Sequence, residues 1–371
     1  AAFFLSSAMR VGPGNILGVT GAIAVGGPGA LFWMEVAAFL GMATKYAEGL
    51  LAVKYRTIGK DGKVLGGPFY YIETGIKERF GWNMKWLAVI FAVFGIGAGL
   101  LGIGTITQVN GITSAMARLT PNAPEFINLG GNSVSWTTAI AGLLVTIFAA
   151  TVIIGGLKRI AKVSTYIVPI MAIIYILACM LLLLLNFTQI PLAIQTIVQA
   201  AFNPSAITGG AVGTIFIAMQ KGIARGIFSN EAGLGSSVMV HSNSNVKEPV
   251  KQGMWGIFEV FLDTFVICTL TALFILCSGV LPAASGAETA MGAFTSFGGV
   301  IGDIFKYAYS IILPLFAFST ILAWAVYGEK ACQYLFGKKS NLVFNIIYVV
   351  MIVGMALLTF FGGANLASDF V

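Results

Sequence analysis

The chain has 371 residues, of which 58% are hydrophobic and only 9% charged, and its mean hydropathy is +0.92. A water-soluble domain carries roughly 25% charged residues, so the composition excludes a soluble enzyme or binding module and describes a polytopic membrane protein. The net charge of +7 does not form a nucleic-acid groove, because the basic residues sit in short loops between apolar segments and act as orientation signals.

A membrane-crossing helix needs about twenty apolar residues. In chain order that length predicts spans near 1–25, 30–54, 86–114, 135–155, 164–186, 208–236, 253–279, 302–329 and 342–362. Span 1 is interrupted at Val11-Gly12-Pro13-Gly14-Asn15. Span 6, apolar from Thr208, is interrupted over residues 222–235, where Gly222, Arg225, Gly226, Ser229, Asn230, Glu231, Gly233 and Gly235 replace the apolar run. Lipid cannot hydrogen-bond free backbone groups, so unwound chain at membrane depth must line a cavity enclosed by protein. Two further segments are expected to be helical without spanning: the amphipathic stretch 67–81, and 190–201, hemmed by Pro191 and Pro204.

The connections alternate in charge. Loop 54–85 carries Lys54, Arg56, Lys60, Lys63, Lys77, Arg79 and Lys85, and later clusters are Lys158/Arg159/Lys162, Lys247/Lys251 and Lys330/Lys338/Lys339. Between them, 115–134 has only Arg118, while 187–207 and 280–301 have no Lys or Arg. The positive-inside rule makes the basic loops cytoplasmic in a multi-pass cell-membrane protein, with span 1 starting inside. Four spans separate the two interrupted ones, so the second interrupted span enters from the opposite side. This is the pattern of an inverted-topology repeat, and paired interruptions in corresponding halves are the sequence mark of a secondary transporter's binding site. The units are 1–187 (spans 1–5) and 188–371 (spans 6–9). A tenth span is expected to complete the second unit, and the start without Met and the stop at Val371 read as trimmed ends.

Several polar groups lie at membrane depth. Span 3 holds Gly95, Gly97, Gly99, Gly102 and Gly104, then Thr105, Thr107, Gln108 and Asn110. Glycine costs about 1 kcal/mol relative to alanine in a helix, so this density implies close approach by a neighbouring backbone or a ligand. Gln108, placed one turn after Gly104 on a continuous helix, can serve a ligand or bind another helix. In span 8, Ser319 and Thr320 either bond the carbonyl one turn earlier or offer oxygens to a desolvated alkali cation, with Trp324 one turn on. Asp263 in span 7 and Glu231 in the second break are coupling candidates, as intramembrane acids are by default. Their structural alternatives are pairing with Thr264 and capping of the resumed half-helix. Glu35, Lys45 and Glu48 in span 2 are expected to pair locally and serve structure.

The first break suits an amino acid. A half-helix starting near Asn15 aims free N–H groups and a positive dipole end at a carboxylate, while released carbonyls suit an ammonium or Na⁺. Gly12 and Gly14 let the ligand approach the main chain. Cys179, Cys268, Cys277 and Cys332 lie singly in apolar segments without metal spacing, and the single His241 cannot build a zinc, haem or His-triad site. No nucleophile–base set points to an enzyme, and nothing suggests the rings about the membrane normal that channels use.

Taken together, certain strings are similar to the alanine or glycine:cation symporter family of the amino acid–polyamine–organocation superfamily. They are Gly14-Asn15-Ile16 with Gly26-Gly27-Pro28-Gly29-Ala30, Gly41-Met42-Ala43-Thr44-Lys45-Tyr46-Ala47-Glu48, Gly66-Gly67-Pro68-Phe69-Tyr70-Tyr71, Gly102-Ile103-Gly104 with Gln108, Arg225-Gly226-Ile227-Phe228-Ser229-Asn230-Glu231-Ala232-Gly233, and Phe318-Ser319-Thr320-Ile321-Leu322 with Trp324. The resemblance implies an all-α, leucine-transporter-like five-plus-five inverted repeat with discontinuous spans 1 and 6. Spans 1, 2, 6 and 7 then form a bundle against a scaffold of 3, 4, 8 and 9. It implies symport of L-alanine, D-alanine or glycine with Na⁺ as coupling ion; the rival is proton coupling through Asp263 or Glu231. By similarity Gly12, Gly14, Asn15, Gly102, Gly104, Gln108 and Trp324 contact substrate, and Ser319 and Thr320 ligate Na⁺. Pro13 stands where many relatives have Thr, and the run Ser236-Ser237-Val238-Met239-Val240-His241 departs from an alanine-rich pattern.

Overall fold

The computed structural model describes residues 12–59, 62, 64–102, 104–120, 122–129, 132–202, 215–280, 286–296 and 298–368. The first eleven residues of predicted span 1 and the start of predicted span 6 at Thr208 lie outside the described residues. A 3₁₀ turn, Pro13–Asn15, leads into α1 (Leu17–Gly26), and Gly27-Pro28-Gly29 turns the chain into α2 (Ala30–Lys54). A small hairpin, β1 (Thr57–Ile58) with β2 (Val64–Leu65), precedes the amphipathic helix α3 over 68–80. Then come α4 (Lys85–Leu101), α5 (Ile106–Leu119), the hairpin β3 (Glu125–Leu129) with β4 (Asn132–Ser135), α6 (Trp136–Ile154), α7 (Gly156–Leu185) and α8 (Ile190–Phe202). The second half has α9 (Ile215–Asn230), the short α10 (Val238–His241), α11 (Pro249–Cys277), α12 (Gly286–Thr295), α13 (Gly299–Phe336) and α14 (Ser340–Ser368).

Among the described residues, α2, α7, α11, α13 and α14 are long and apolar enough to cross a membrane, and Pro13–Gly26, Lys85–Leu101 and Ala139–Ile154 are shorter apolar helices. Their outer faces match this solvent. Tyr166, Ile170, Ile173, Leu177, Leu181 and Leu184 stand exposed along α7, an apolar surface that a water-soluble bundle does not present.

Packing sorts the helices into two groups. α2 lies along α9 and α11, and α9 also packs on α1. α13 packs on α4, α5 and α7, and α14 on α5, α6 and α13. The buried set Ala88, Ala92, Val109, Ile112, Ile153, Ile321, Trp324, Tyr348 and Ile352 is the core of the second group.

Two predicted features change. The second break does not begin at residue 222: α9 is helical through Asn230, and the chain leaves the helix only at Glu231, whose φ is +54°. Gly222 and Gly226 instead let α2 come close, since a Cβ at Gly222 would lie 2.2 Å from the Ala30 carbonyl and one at Gly226 3.1 Å from Met34. Span 3 is also not continuous. It stops at Leu101 and resumes at Ile106, with Gly102 and Thr105 in non-helical conformations. Gly104 and Gln108 therefore do not share a helical face as the sequence suggested. The hairpins and α12 were not anticipated. α11 is interrupted by a π-helical segment, Phe261–Cys268, a local widening of the helix that frequently marks functional sites.

These glycines predict opposite outcomes. Gly222→Ala should lower stability by about 1–3 kcal/mol through forced separation of α9 from α2. Gly97→Ala, where a Cβ meets nothing within 4 Å, should be neutral or stabilise by up to about 1 kcal/mol. Thermal unfolding in detergent of the two variants measures both.

Candidate functional site

The first break is anchored through Asn15, which is fully buried. Its Oδ1 accepts the Gly12 N–H (2.9 Å), closing the turn on itself. Its Nδ2 reaches across the molecule to Asp263 Oδ1 (2.7 Å), the Asp263 carbonyl (3.2 Å) and Ser229 Oγ (3.0 Å). Ser229 in turn donates to Asp263 Oδ2 (2.8 Å), as does Thr264 (3.1 Å). Asn230 Nδ2 donates to Thr264 Oγ1 at 3.3 Å. The break in span 1, the end of α9 and the π segment of α11 thus converge on one buried carboxylate. Cys268 Sγ completes the cluster, 3.4 Å from Asn15 Nδ2. Gly14 sits against α9 as well, a Cβ there falling 3.3 Å from the Phe228 ring.

The second break, residues 231–237, is held by span 2. Glu48 Oε1 accepts the N–H groups of Gly233 (3.1 Å) and Gly235 (2.9 Å), and its Oε2 lies 3.3 Å from both Ser237 Oγ and Lys45 Nζ. Lys45, with no exposed surface, donates to the Glu231 carbonyl (2.9 Å) and to Ser237 Oγ (3.0 Å). The Glu231 carboxylate accepts from Ser236 Oγ (2.6 Å) and from the Tyr327 hydroxyl of α13 (3.1 Å). A left-handed non-glycine residue costs about 1–3 kcal/mol and persists only where its surroundings over-determine it; here side-chain contact and carbonyl contact both do so. Further along, His241 is fully buried between the Gln252 amide and Glu259, its Nε2 3.4 Å from Glu259 Oε2. Arg56, counted in sequence as a loop charge, holds the carbonyls of Ser242, Ser244 and Val246.

The span 3 break meets the other group of helices. A Cβ at Gly104 would fall 2.4 Å from the Gly99 carbonyl and 2.7 Å from Trp324 Cβ, so only glycine lets the chain turn there. The Tyr348 hydroxyl lies 2.9 Å from the carbonyls of Gly104 and Ile321, and Thr105 Oγ1 donates to Leu100 O (2.7 Å). Trp324 packs edge-on to Tyr327, centroids 5.3 Å apart. Its buried indole N–H has no hydrogen-bond partner among the described residues. Gln108 is buried on α5, one turn before Gly111, where a Cβ would meet the Leu17 side chain of α1 at 3.9 Å. The hydroxyls of Ser319 and Thr320 donate to the Phe316 carbonyl at 2.8 and 3.1 Å, the back-bonding fate open to such residues, while their lone pairs remain available.

The chain matches the family described as the sodium:alanine symporter family over residues 1–366. It belongs to that family. It is 43% identical over 355 residues to an uncharacterized transporter of Haemophilus influenzae, covering 95% of this chain and 73% of that protein. It is 40% identical over 358 residues to the sodium/alanine symporter AgcS of Methanococcus maripaludis, covering 94% and 73%. Its fold is that of the crystal structure of MhsT in complex with L-phenylalanine, with a TM-score of 0.65 at 14% identity over 96% of this chain and 79% of that one. The leucine-transporter-like fold and a non-enzymatic transport role are therefore established for this family member.

In this symporter-family chain, the sequence singled out Asn15, Gly104 and Trp324 for one substrate pocket and Asp263 as a coupling candidate; the structure places Asn15 against Asp263 and Gly104 against Trp324. Sequence reasoning missed the partners that complete these contacts. Ser229 was read only as part of the break, and Lys45 and Glu48 as a local pair. Their one available signal was their cost: buried charges in an apolar span require polar partners, and the unwound polar chain that supplies them is the second break. Glu231 does not cap a resumed helix by its side chain; it ties the break to α13.

Removing one member of a buried ion pair leaves the other uncompensated. Glu48→Ala should lower unfolding stability by about 3 kcal/mol. Glu248→Ala, which breaks the exposed Lys251–Glu248 pair at 3.1 Å, should cost less than about 1 kcal/mol. Parallel thermal melts of the two variants test the contrast.

Proposed function

We propose that this protein is a secondary symporter that carries one small neutral amino acid, alanine or glycine, into the cell with Na⁺. The observation that carries the reading is an asymmetry between the breaks. The amides of the second break are already bound to the Glu48 carboxylate. The first turn of α1 has no side-chain cap, and the opening N–H groups of a helix lack partners within it. A substrate carboxylate is therefore best held at Leu17-Gly18-Val19, at the positive end of α1. Gly12 and Gly14 flank that place. The indole N–H of Trp324 and the buried Gln108 amide supply polar contacts from the other group of helices, and Gly102 and Gly104 limit the space left for a side chain. That arrangement favours a substrate with a small side chain.

The Asn15–Ser229–Asp263 cluster supports cation coupling, because it joins the turn beside the carboxylate site to a buried anion. Ser319 and Thr320 are the second candidate cation ligands, on the helix that packs against the Pro13–Asn15 turn. The name of the archaeal relative, a sodium/alanine symporter, agrees with both assignments. In this reading residues 1–187 and 188–371 are inverted copies, the basic loops face the cytoplasm, and the bundle rocks against the scaffold to expose the site alternately.

Uptake of labelled alanine and glycine by proteoliposomes tests it, with Na⁺ replaced by K⁺ or by a pH gradient. Uptake unchanged by removal of Na⁺ rejects sodium coupling. Asp263→Asn should reduce Na⁺-driven uptake at least about tenfold. Gln108→Ala should raise the apparent KM by about tenfold, the equivalent of one lost buried hydrogen bond. Thr320→Ala should mainly raise the Na⁺ concentration needed for half-maximal uptake. Unchanged kinetics in all three variants refutes the site.

A further inference from the structure

Glu35 is a carboxylate in the second turn of apolar α2, flanked by Trp33, Met34, Val36 and Ala37, and only half-buried. Sequence reasoning expected it to pair with Lys45, yet Lys45 is committed to the second break and Glu48. The Thr269 hydroxyl donates to Glu35 Oε1 at 2.7 Å. That same hydroxyl lies 3.3 Å from the Thr264 carbonyl, and the Thr264 hydroxyl donates to Asp263 Oδ2. Two intramembrane acids on different helices are thus joined through two threonines of α11, Thr264 in its π-helical stretch and Thr269 immediately after it.

We infer that Glu35 is a proton-binding site whose protonation weakens cation binding at the Asp263 cluster. Thr269 has one hydroxyl proton and two acceptors. While Glu35 is ionised the charge-assisted bond is the stronger, and the proton points at the carboxylate. When Glu35 takes up a proton it becomes the donor to Thr269 Oγ1, and the Thr269 proton turns to the Thr264 carbonyl. Protonation also removes one negative charge from the surroundings of Asp263, which disfavours a bound cation.

Of the helices packed on α2, α1 and α8 carry no titratable side chain. On α9, Lys221 lies toward Gly26, and Arg225 toward Gly18 and the Phe228 ring. His241 of α10 is engaged with Gln252 and Glu259, and Lys251 of α11 with Glu248. The remaining titratable neighbours are Asp263 and the Cys268 thiol, which is within electrostatic reach of Glu35. Lys45, Tyr46 and Glu48 of α2 itself lie about three turns further along.

The inference rests on the reading of the Asp263 cluster as the cation site, so the test has one arm that needs transport and one that does not. In proteoliposomes, the Na⁺ concentration for half-maximal alanine uptake should rise about fivefold between about pH 7.5 and about pH 5.5. Glu35→Gln should show the acid value at both, and Glu35→Asp should keep the dependence. Thr269→Val should retain uptake with a smaller shift. In the second arm, infrared difference spectra of the purified protein across the same range should show a carboxylic-acid C=O band that is absent in Glu35→Gln. A Glu35→Gln variant with the full wild-type shift, or an unchanged band, overturns the inference. Should Na⁺ drive no uptake at all, the sodium reading falls, and the infrared arm alone supports or overturns the proton site.

Discussion

The governing constraint is that hydrocarbon offers no hydrogen bonds to an unwound backbone. Every departure from helix in the spanning region must therefore be tied by a side chain from elsewhere in the chain. The second break shows this most fully. Its two glycine amides end on Glu48, its first carbonyl on Lys45, and its one strained residue on Tyr327. The cost of burying Lys45 and Glu48 is met by each other and by the loop together, and the loop could not stay open at that depth without them. The same rule governs span 3, where Tyr348 and Thr105 bond the carbonyls that the break at Gly102–Thr105 sets free.

From this rule follows a division of labour between the two breaks. A carboxylate bound to a break can come from the protein or from a ligand. At residues 233–235 it comes from the protein, and α2 and the loop are thereby fixed to each other. At the start of α1 no described side chain takes that role, and the proposed function gives that place to the substrate. Asn15 then stands at the boundary, turning its oxygen inward to Gly12 and its amide outward to Ser229 and Asp263.

Much of the fold was legible because bilayer thickness translates directly into residue counts. Span 2 was expected at 30–54 and runs Ala30–Lys54, and the bundle and scaffold groupings correspond to the packing of α2 with α9 and α11 and of α13 and α14 with α5 and α6. Glycine was the ambiguous letter. At 222 and 226 it permits close helix packing, at 102 and 104 it permits a break, and the sequence spells both alike. The distinction lies in spacing relative to a partner: four residues apart gives a groove on one face for α2, whereas Gly104 abuts Trp324 from a distant part of the chain. Lys45 and Glu48 pair locally as expected, but their hydrogen bonds to the second break were the other blind spot. Glu48 meets residues some 185 positions away, and no periodicity within α2 reports such a contact. The π segment has no sequence signature either, although it brings Asp263, Thr264 and Cys268 together on the face toward Asn15.

The contact between Glu231 and Tyr327 has a mechanical consequence. It joins the loop fixed to α2 with α13, so it crosses the boundary along which the proposed rocking occurs. Tyr327 also packs edge-on to Trp324, whose indole N–H has no acceptor among the described residues. A substrate that engages Trp324 therefore touches the same short stretch of α13 that holds Glu231. Filling the site and releasing or tightening the second break are then not separate events. Trp324 and Tyr327 are one helical turn apart, and displacement of either alters the other's packing. Under the proposed function, such adjacency would let a ligand as small as alanine bias a motion of whole helices, because the energy it must change is that of one hydrogen bond and one aromatic contact, each on the order of 1 kcal/mol.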